Sequence, residues 1–383
     1  MYASLVIALF LLLGYRLGSL THGVSQAEWQ TLGDYSSFHA IIHNPLNLPM
    51  KLVGWATWHI PLHSAALMRL PAALFGLGTL IPFAYLLKRW YGMRMTVLGT
   101  LVFACSGWFL HVSRSATYDV EFLWAIPTLL ALNVILYEYS DRILAVLTWL
   151  AGMLLLLCMP GMVWLIIINL VLQRNELAEA WETLETWWLK SGAIVAVIGI
   201  VGGLAALFYR RPDLLLPWAG LPAQLDDWLN VLKRFIDAFA YFIVRGPHEP
   251  GLWLGRLPIL DAFVSAMLIA GLIFYGRHLS AARTRLLLLF TAVSAILTAL
   301  STSVRISSLV PLVYIIATAG LAYLLHIWLR VFPRNPLARG LGIGVVILLV
   351  SASCLYNLRA YYVAWPHNSE TRQVFDEKLV PHR

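Results

Sequence analysis

RLPAALFGLGTLIPFAYLLKRWYGMRMTVLGTLVFACSGWFLHVSRSATYDV, residues 69–120, holds most of two apolar segments, 65–87 and 95–112, with a short basic turn between them. A bilayer core about 30 Å thick needs about 20 apolar residues in a helix that crosses it. The stretch therefore predicts a helical hairpin that crosses a membrane twice. It ends in a polar loop that contains Arg114 and Asp119.

The composition of the whole chain extends this prediction beyond the hairpin. Of the 383 residues, 60% are hydrophobic and 12% are charged, and the mean hydropathy is +0.76. Soluble domains carry about 25% charged residues, so the chain is predicted to be an integral membrane protein. The first apolar segment, 2–20, has neither a basic start nor a small-residue cleavage site, which favours a retained span over a secretory signal. All three cysteines fall in apolar runs, which favours packing or lipid contact over disulfides or metal binding.

About eleven apolar segments are long enough to be considered as spans. They are 2–20, 65–87, 95–112, 121–137, 142–158, 161–173, 190–209, 259–275, 284–301, 309–329 and 340–356. Pro160-Gly161 is compatible with a tight turn between two short helices or with a kink in one long helix. The two alternatives change the side of the membrane on which every later loop lies.

The distribution of basic residues predicts the orientation. Short loops that hold KRWYGMR (88–94), YGRHLSAARTR (275–285) and RVFPRNPLAR (330–339) are rich in Lys and Arg, which is typical of the cytoplasmic side. The N-terminus is then cytoplasmic and the C-terminus outside. The net charge of +8 reflects this topology and contact with anionic lipid, and nucleic acid is not implied as a partner. The segments that share the outer face are 21–64, 111–120, 209–258, 302–308 and 357–383.

Acidic residues concentrate in two of these outer segments. Glu28 and Asp34 lie in the first, and Asp119 and Glu121 lie where the fourth span begins. Carboxylates at a membrane boundary are costly unless they are solvated, paired or used in function. Asp119 fits a helix cap as well as a functional acid, because Asp favours helix N-termini.

Several motifs in this order resemble the GT-C glycosyltransferases, specifically the protein mannosyltransferase and aminoarabinose transferase superfamily. The Arg-Leu-Pro that opens the second span, the basic turn after it and the Ser-Arg-x-x-x-x-Asp loop carry the resemblance, together with NPLNLPMKLVGW (44–55) and YYVAWPHNSETRQVF (361–375). The resemblance implies an all-α, polytopic GT-C-like protein with outer-face loop helices. It would form a single transmembrane domain, 1–383, with a first outer loop at 21–64, a long one at 209–258 and an outer tail at 357–383.

Two departures from the family pattern affect the substrates more than the fold. The family commonly has an Asp-Glu pair in the first outer loop, whereas QAEW (26–29) offers only Glu28. Many relatives end in a soluble outer domain, whereas about 27 residues follow the last predicted span here. We therefore expect the acceptor to bind to loops or to a partner.

The resemblance also implies a reaction and a set of residues. The donor would be a sugar on a polyprenyl phosphate, and a carboxylate would remove the proton of the acceptor hydroxyl as a general base. Glu28 is the first candidate for this base and Asp119 the second. The residues expected to bind the donor phosphate are Arg305, Arg114, Arg69 and Lys51. An interfacial anchor is the alternative role for Arg305, and a structural partner is the alternative for Arg69.

Other polar residues of the outer loops are candidates for acceptor or loop contacts. They are Asp34, His39, His43 and Glu121. His59 and His63 share one helix face by their spacing, but a zinc site needs three or four ligands. No metal ligand is therefore assigned, and a divalent metal is left open as a cofactor.

Two amphipathic segments are predicted to lie at the membrane surface. Residues 225–244 combine aromatic and charged positions in the pattern of an interfacial helix. Residues 173–190 place four acids, Glu176, Glu179, Glu182 and Glu185, along one polar side of a cytoplasmic helix.

The resulting prediction is a glycosyltransferase, with the inner membrane of a bacterium as the expected location. The acceptor is left open among protein, lipid and glycan. A non-catalytic scaffold with the same fold is one alternative. The other is a transporter or flippase of lipid-linked substrates, which usually shows charged or broken helices at mid-membrane.

Overall fold

The computed structural model describes residues 2–61, 64–184, 186–224, 226–247, 251, 256–301 and 303–376. The protein is all-α: 78% of the described residues are helical, and none of them forms a β-strand. The first ten helices are α1 (Tyr2–Gly14), α2 (Gln26–Tyr35), α3 (Phe38–His43), α4 (Leu48–Trp58), α5 (Ala65–Tyr91), α6 (Met93–Ala104), α7 (Gly107–Val112), α8 (Asp119–Tyr139), α9 (Ile143–Leu156) and α10 (Met162–Leu172).

Ten further helices complete the described chain. They are α11 (Arg174–Thr183), α12 (Trp187–Arg210), α13 (Leu215–Ala219), α14 (Trp228–Ile243), α15 (Ala262–Gly276), α16 (Ala282–Leu300), α17 (Val310–Val331), α18 (Pro336–Arg359), α19 (Trp365–His367) and α20 (Ser369–Val374). A π-helical turn, Ala360–Ala364, joins α18 to α19.

Each of the eleven predicted spans contains a helix, and the protein is an integral membrane protein. In the described part of the chain, α5, α8, α12, α16, α17 and α18 are long and apolar enough to cross a membrane, and α6, α9, α10 and α15 are shorter apolar helices. The α8 and α17 helices form the centre of the bundle, because 72% and 78% of their apolar windows are buried. The α12 helix lies at the periphery, since Ala193 and Leu204 are its only buried residues.

Two predicted spans are shorter or interrupted in the structure. The first helix ends at Gly14, and Arg16 then takes a left-handed conformation with φ of 53°. The third predicted span breaks after Ala104, because the Ser106 side chain accepts a hydrogen bond from the amide of Phe109 and so starts the separate helix α7. All six residues of α7 are buried. The break between α6 and α7 therefore lies inside the protein, at the outer end of the core.

Pro160-Gly161 forms a tight turn between α9 and α10. Gly161 has φ of +72°, and its amide donates to the carbonyl of Trp218 at 2.8 Å. The preceding Cys158 carbonyl accepts from the amide of Asn47 at 3.1 Å. Segments of the first and third outer loops therefore hold this turn.

The core depends on close helix contact as well as on large side chains. A Cβ atom on Gly271 of α15 would lie 1.9 Å from the carbonyl oxygen of Ile316 on α17, and one on Gly320 would lie 2.0 Å from that of Met267. Glycine is needed at both positions because it lets two helix backbones approach, as is common in membrane proteins. All three cysteines are buried, so they serve packing and do not face lipid.

The two ends of the bundle differ in chemistry. At one end, Arg89 of α5 pairs with Glu138 of α8 at 2.8 Å, and Arg283 donates to the carbonyl of Trp90 at 3.4 Å. The contact between Arg283 and Trp90 brings the basic turns 88–94 and 275–285 together. At the other end, the first residues of α5 and α8 meet α2 and α4, and a cavity of about 850 Å³ lies there.

Both amphipathic segments are surface helices. Helix α14 has an exposed apolar stripe formed by Trp228, Leu229, Leu232, Ile236, Phe239 and Ile243. A different face of α14, which includes Ala238 and Phe242, packs on the bundle. Helix α11 contains three of the four acids assigned to one polar side, and Glu185 lies outside the described residues.

Candidate functional site

A cavity of about 850 Å³ lies at the end of the bundle away from the basic turns. Each of the five segments predicted to share the outer face contributes to its wall. Representative residues are Asp34 in the first segment, Asp119 in the second, Pro217 in the third, Arg305 in the fourth and Asp376 in the last. The segments come together because α2, α4 and the 212–220 segment pack onto the ends of the long helices.

Glu28 lies beside this cavity in a buried ion pair and does not line its wall. Ser25 and Glu28 form a capping box at the start of α2, in which each side chain accepts from the other residue's backbone. The carboxylate is fully buried and binds Arg69 through two hydrogen bonds, Nε to Oε1 at 2.7 Å and Nη2 to Oε2 at 2.9 Å. The amides of Ser25 and Ala116 donate to the same two oxygens at 2.9 and 3.0 Å.

The environment of Glu28 stabilises its charged form. Burial alone would raise its pKa, but the charge and hydrogen bonds of Arg69, with the two backbone amides, bring the pKa below its ordinary value. Two further donors of Arg69 reach the carbonyls of Leu17 at 3.3 Å and Gly23 at 3.0 Å, so four of its five N–H groups are hydrogen-bonded. The pair therefore ties the first outer loop to the start of α5.

Arg114 is likewise occupied away from the cavity wall. Its guanidinium donates to the carbonyls of Leu12 at 3.3 Å and Tyr15 at 2.6 Å, and to the hydroxyl of Tyr362. It also lies over the Tyr362 ring, 4.8 Å from its centroid. This side chain links the end of α1 to the π-helical turn after α18, which is a structural contact, and it does not line the cavity.

Lys51 and Arg305 are the two predicted phosphate-binding residues that line the cavity. Lys51 is 1% exposed, and its Nζ donates to the carbonyl of Asn44 at 2.6 Å. Burial lowers the pKa of Lys51, while the charges of Asp34 and Glu121 oppose that change. Arg305 is exposed and precedes the short helical turn Ile306–Ser308.

Two of the predicted acids line the cavity and one lies behind it. Asp34 is half-buried and accepts from the hydroxyl of Tyr118 at 2.9 Å. Asp119, 6% exposed, stands at the first position of α8. Glu121 is fully buried, and its Oε1 accepts from the amide of Met50 at 2.6 Å. Glu121 therefore fastens α4 to α8.

The histidines of the first outer loop do not converge on the cavity. His39 and His43 are exposed and contact each other edge to face, with ring centroids 4.5 Å apart. His59 bonds to the carbonyl of Trp55 at 2.8 Å, and His63 lies outside the described residues. Among the residues that the structure describes, no group of three His, Cys, Asp or Glu side chains is placed to hold a metal ion.

The structure also assigns residues to the cavity that the sequence did not single out. His111 is 2% exposed, lines the wall, and bonds through Nε2 to the carbonyl of Gly251 at 2.9 Å. Gln26 and Gln30 of α2 and the tail residues Gln373–Asp376 complete the wall. The available sequence signal for the two glutamines was the four-residue spacing of Gln26, Gln30 and Asp34, which would place all three on one face of a helix. No comparable sequence pattern predicts that the tail residues 373–376 fold back to the cavity.

The fold and the site define a class: a polytopic helical membrane protein with a large polar cavity at one end of its bundle. Two solved structures share this architecture, both of ArnT from Cupriavidus metallidurans. The apo-state structure is 13% identical with a TM-score of 0.54, and the structure bound to undecaprenyl phosphate is 14% identical with a TM-score of 0.55. Each comparison covers 97% of this chain and 76% of the other.

No protein-family model and no curated protein sequence matches the chain. The structural likeness, which spans nearly its full length, identifies the fold as GT-C and confirms the fold predicted from residues 69–120.

Proposed function

We propose that the protein is a glycosyltransferase that moves a sugar from a polyprenyl-phosphate-linked donor to a hydroxyl-bearing acceptor. The observation that carries this proposal is the composition of the cavity. The cavity is lined by two cations, Lys51 and Arg305, and by three carboxylates, Asp34, Asp119 and Asp376, at one end of the helix bundle. A lipid-linked phosphosugar needs positive charge for its phosphate and a carboxylate for the attacking hydroxyl, both at the depth of the membrane surface.

The fold supports the same donor class. An ArnT with this fold has been crystallised with undecaprenyl phosphate. In the protein described here, Lys51 and Arg305 would bind the donor phosphate. Arg305 offers a planar fork suited to two phosphate oxygens, and Lys51 offers a point charge on a buried stem.

Asp119 is the general base that we propose. Sequence analysis put Glu28 first, but the oxygens of Glu28 accept four hydrogen bonds and do not line the cavity. A carboxylate whose charged form is so strongly stabilised is a poor proton acceptor. Asp119 and Asp34 both line the cavity, and Asp34 would orient the acceptor.

The proposed step is a single displacement. The acceptor oxygen attacks the anomeric carbon while the bond from that carbon to the phosphate oxygen breaks. The phosphate leaves on its polyprenyl chain and keeps the bonding electrons, so Lys51 and Arg305 stabilise the charge that develops there. The proton of the acceptor hydroxyl passes to the Asp119 carboxylate.

The proposed location is the inner membrane of a bacterium, with the cavity outside the cell. The support is the separation of the basic turns, at one end of the bundle, from the cavity at the other. The N-terminus is then cytoplasmic and the C-terminus outside.

A binding experiment and a turnover experiment test the proposal. Purified protein in lipid nanodiscs should bind undecaprenyl phosphate, and Arg305→Ala should weaken that binding, with Arg305→Lys restoring it only in part. Unchanged affinity in Arg305→Ala would leave the residue with its alternative role as an interfacial anchor.

Turnover is measured as release of undecaprenyl phosphate from a panel of undecaprenyl-phosphate monosaccharides, each incubated with a panel of hydroxyl-bearing acceptors: oligosaccharides, Ser/Thr peptides and glycolipids. Asp119→Asn should lower the rate by about 10²- to 10⁴-fold and leave undecaprenyl phosphate binding intact. Asp34→Asn is the matched acid on the same wall and should lower the rate much less. Binding of the lipid without turnover of any donor would favour a non-catalytic scaffold.

A further inference from the structure

One region of the cavity wall is rich in amide groups and is built by two distant parts of the chain. Gln26, Gln30 and Asp34 are spaced four residues apart on α2 and all line the cavity. Gln373 and Asp376, from the end of the described chain, line the same cavity. The proposed reaction assigns a role to Asp34 and none to the other four residues.

The two ends of the α2 stripe lie in different chemical surroundings. Asp34, at its end, is close enough to the buried Lys51 to oppose the lowering of the Lys51 pKa. Gln26 lies eight residues earlier, which is about 12 Å along a helix that rises 1.5 Å per residue. Gln26 adjoins the Ser25–Glu28 cap and its partner Arg69. The stripe therefore extends about 12 Å from the neighbourhood of Lys51 at one end to that of the Glu28–Arg69 pair at the other.

The tail is held at the amide-rich end by specific contacts. The Phe375 ring is 2% exposed, lies 5.9 Å from the Arg69 guanidinium and packs against Trp365 with ring centroids 5.3 Å apart. Val374 lies against Gly251, the residue whose carbonyl binds His111. Gln373 and Asp376, on either side of these two anchored residues, are thereby fixed at the cavity.

The side chains at this end have unused hydrogen-bonding capacity. Within the described part of the chain, Gln26, Gln30, Gln373 and Asp376 show no side-chain hydrogen bond and no ion pair. A carboxamide offers a donor and an acceptor in one plane, and a carboxylate offers two acceptors. Such groups match adjacent hydroxyls on a sugar ring, each of which is both a donor and an acceptor.

The alternatives to a carbohydrate fit this wall less well. A phosphorylated or otherwise anionic acceptor would need cations, and the Lys and Arg side chains that the structure places on the wall are Lys51 and Arg305, which the donor phosphate uses. An apolar acceptor group would need an apolar surface, since burying unpaired amides costs free energy. A cavity of about 850 Å³ is at the upper end of the volumes that hold one small ligand, which leaves room for a donor sugar and an acceptor sugar together.

We infer that the acceptor is a carbohydrate chain, bound through its hydroxyls by Gln26, Gln30, Gln373 and Asp376. This inference rests on the proposed function, because it assigns the acceptor of that same reaction. The terminal sugar of the acceptor presents its hydroxyl to Asp119, and the sugar before it contacts the amides of α2 and the tail.

The test uses saturation-transfer NMR on the full chain in lipid nanodiscs that contain undecaprenyl phosphate. The probes are linear tetrasaccharides of glucose, mannose and N-acetylglucosamine, with an acetylated Ser/Thr hexapeptide for comparison. At least one tetrasaccharide should bind and the peptide should not.

Gln30→Ala and Gln373→Ala should each weaken that binding roughly three- to tenfold, as expected for the loss of one or two hydrogen bonds. Glu370→Gln is the matched control, since Glu370 is exposed on α20 and does not line the cavity.

Two measurements separate this inference from the proposed function. Undecaprenyl phosphate binding that depends on Arg305, with no tetrasaccharide binding, would overturn the carbohydrate acceptor and leave the proposed function standing. Sugar binding only when the sugar is attached to undecaprenyl phosphate would also overturn it, because the amides would then serve the donor. Equal tetrasaccharide binding by Gln30→Ala, Gln373→Ala and Glu370→Gln, or preferential binding of the peptide, would overturn it as well. Failure to bind undecaprenyl phosphate at all would count against the proposed function itself.

Discussion

Glu28 and Arg69 form a doubly hydrogen-bonded ion pair in which both side chains are almost completely buried, with exposures of 0% and 3%. The two residues are 41 positions apart and belong to the first outer loop and the start of the second span. Because the backbone amides of Ser25 and Ala116 also bind the carboxylate, the pair joins the two acid-bearing loops of the outer face. Its main consequence is structural: it sets the position of α2, whose neighbouring face lines the cavity.

Breaking this ion pair should destabilise the protein. Removal of one partner of a buried pair leaves an unpaired charge, which typically costs about 3–5 kcal/mol. Glu28→Gln and Arg69→Met should each lower the thermal unfolding temperature in detergent, and the double variant should recover part of the loss. An exposed pair, Arg211 and Asp213, provides the control, since Asp213→Asn should have little effect.

The same variant also separates the two roles considered for Glu28. If Glu28 were the base, Glu28→Gln would keep its thermal stability and lose turnover. We expect the opposite order of effects: a clear loss of stability, with the remaining folded protein still active.

We expect Lys51 to make donor binding sensitive to pH on the alkaline side. Its pKa is lowered by burial from an ordinary value near 10.4. Below the lowered pKa the ammonium is charged and attracts the phosphate; as the pH rises through it, the proton and the attraction are lost. The affinity for undecaprenyl phosphate should therefore begin to fall at a lower pH than it would if an exposed lysine bound the phosphate. The affinity of Lys51→Met should be weaker at pH 7 and show less change on the alkaline side, and an identical pH profile in both proteins would contradict this role.

The sequence predicted the fold well because membrane spans leave a local signal. Apolar runs and basic turns predicted eleven spans, and the structure has a helix in each of them. The motifs of 69–120 predicted the GT-C fold. Residue pairs such as Glu28 with Arg69, or Phe375 with Arg69, arise only when distant loops pack together, and no local pattern reports them. A partial signal existed for Glu28: Ser25-Gln26-Ala27-Glu28 has the spacing of a capping box, which favours a structural role for the acid.

The orientation of the bundle can be tested by labelling single cysteines from outside the cell. Ser369 at the start of α20 and Met93 beside the first basic turn are both exposed. Met93 is preferable to Gly92, whose φ of +82° would strain a cysteine. In a background in which the three native cysteines are replaced by alanine, a membrane-impermeant maleimide should label Ser369→Cys and not Met93→Cys. Labelling of Met93→Cys alone would place the cavity in the cytoplasm and refute the outer-face assignment.

Helix α14 should lie in the membrane interface with its apolar stripe toward lipid. Leu232 lies in that stripe and is 45% exposed, whereas Asn230 is exposed on the polar side of the same helix. The two positions are separated by about 160° around the helix, since successive residues are about 100° apart. Nitroxide labels at Leu232→Cys and Asn230→Cys, in the same cysteine-free background and in nanodiscs, should differ in accessibility. Oxygen, which concentrates in lipid, should relax the label at position 232, and a water-soluble nickel chelate should relax the label at position 230.

Equal access of the nickel chelate to both positions would show that α14 is surrounded by water. Exclusion of both reagents from position 232 would show instead that protein covers the stripe, and in either case the interfacial placement of α14 would be wrong.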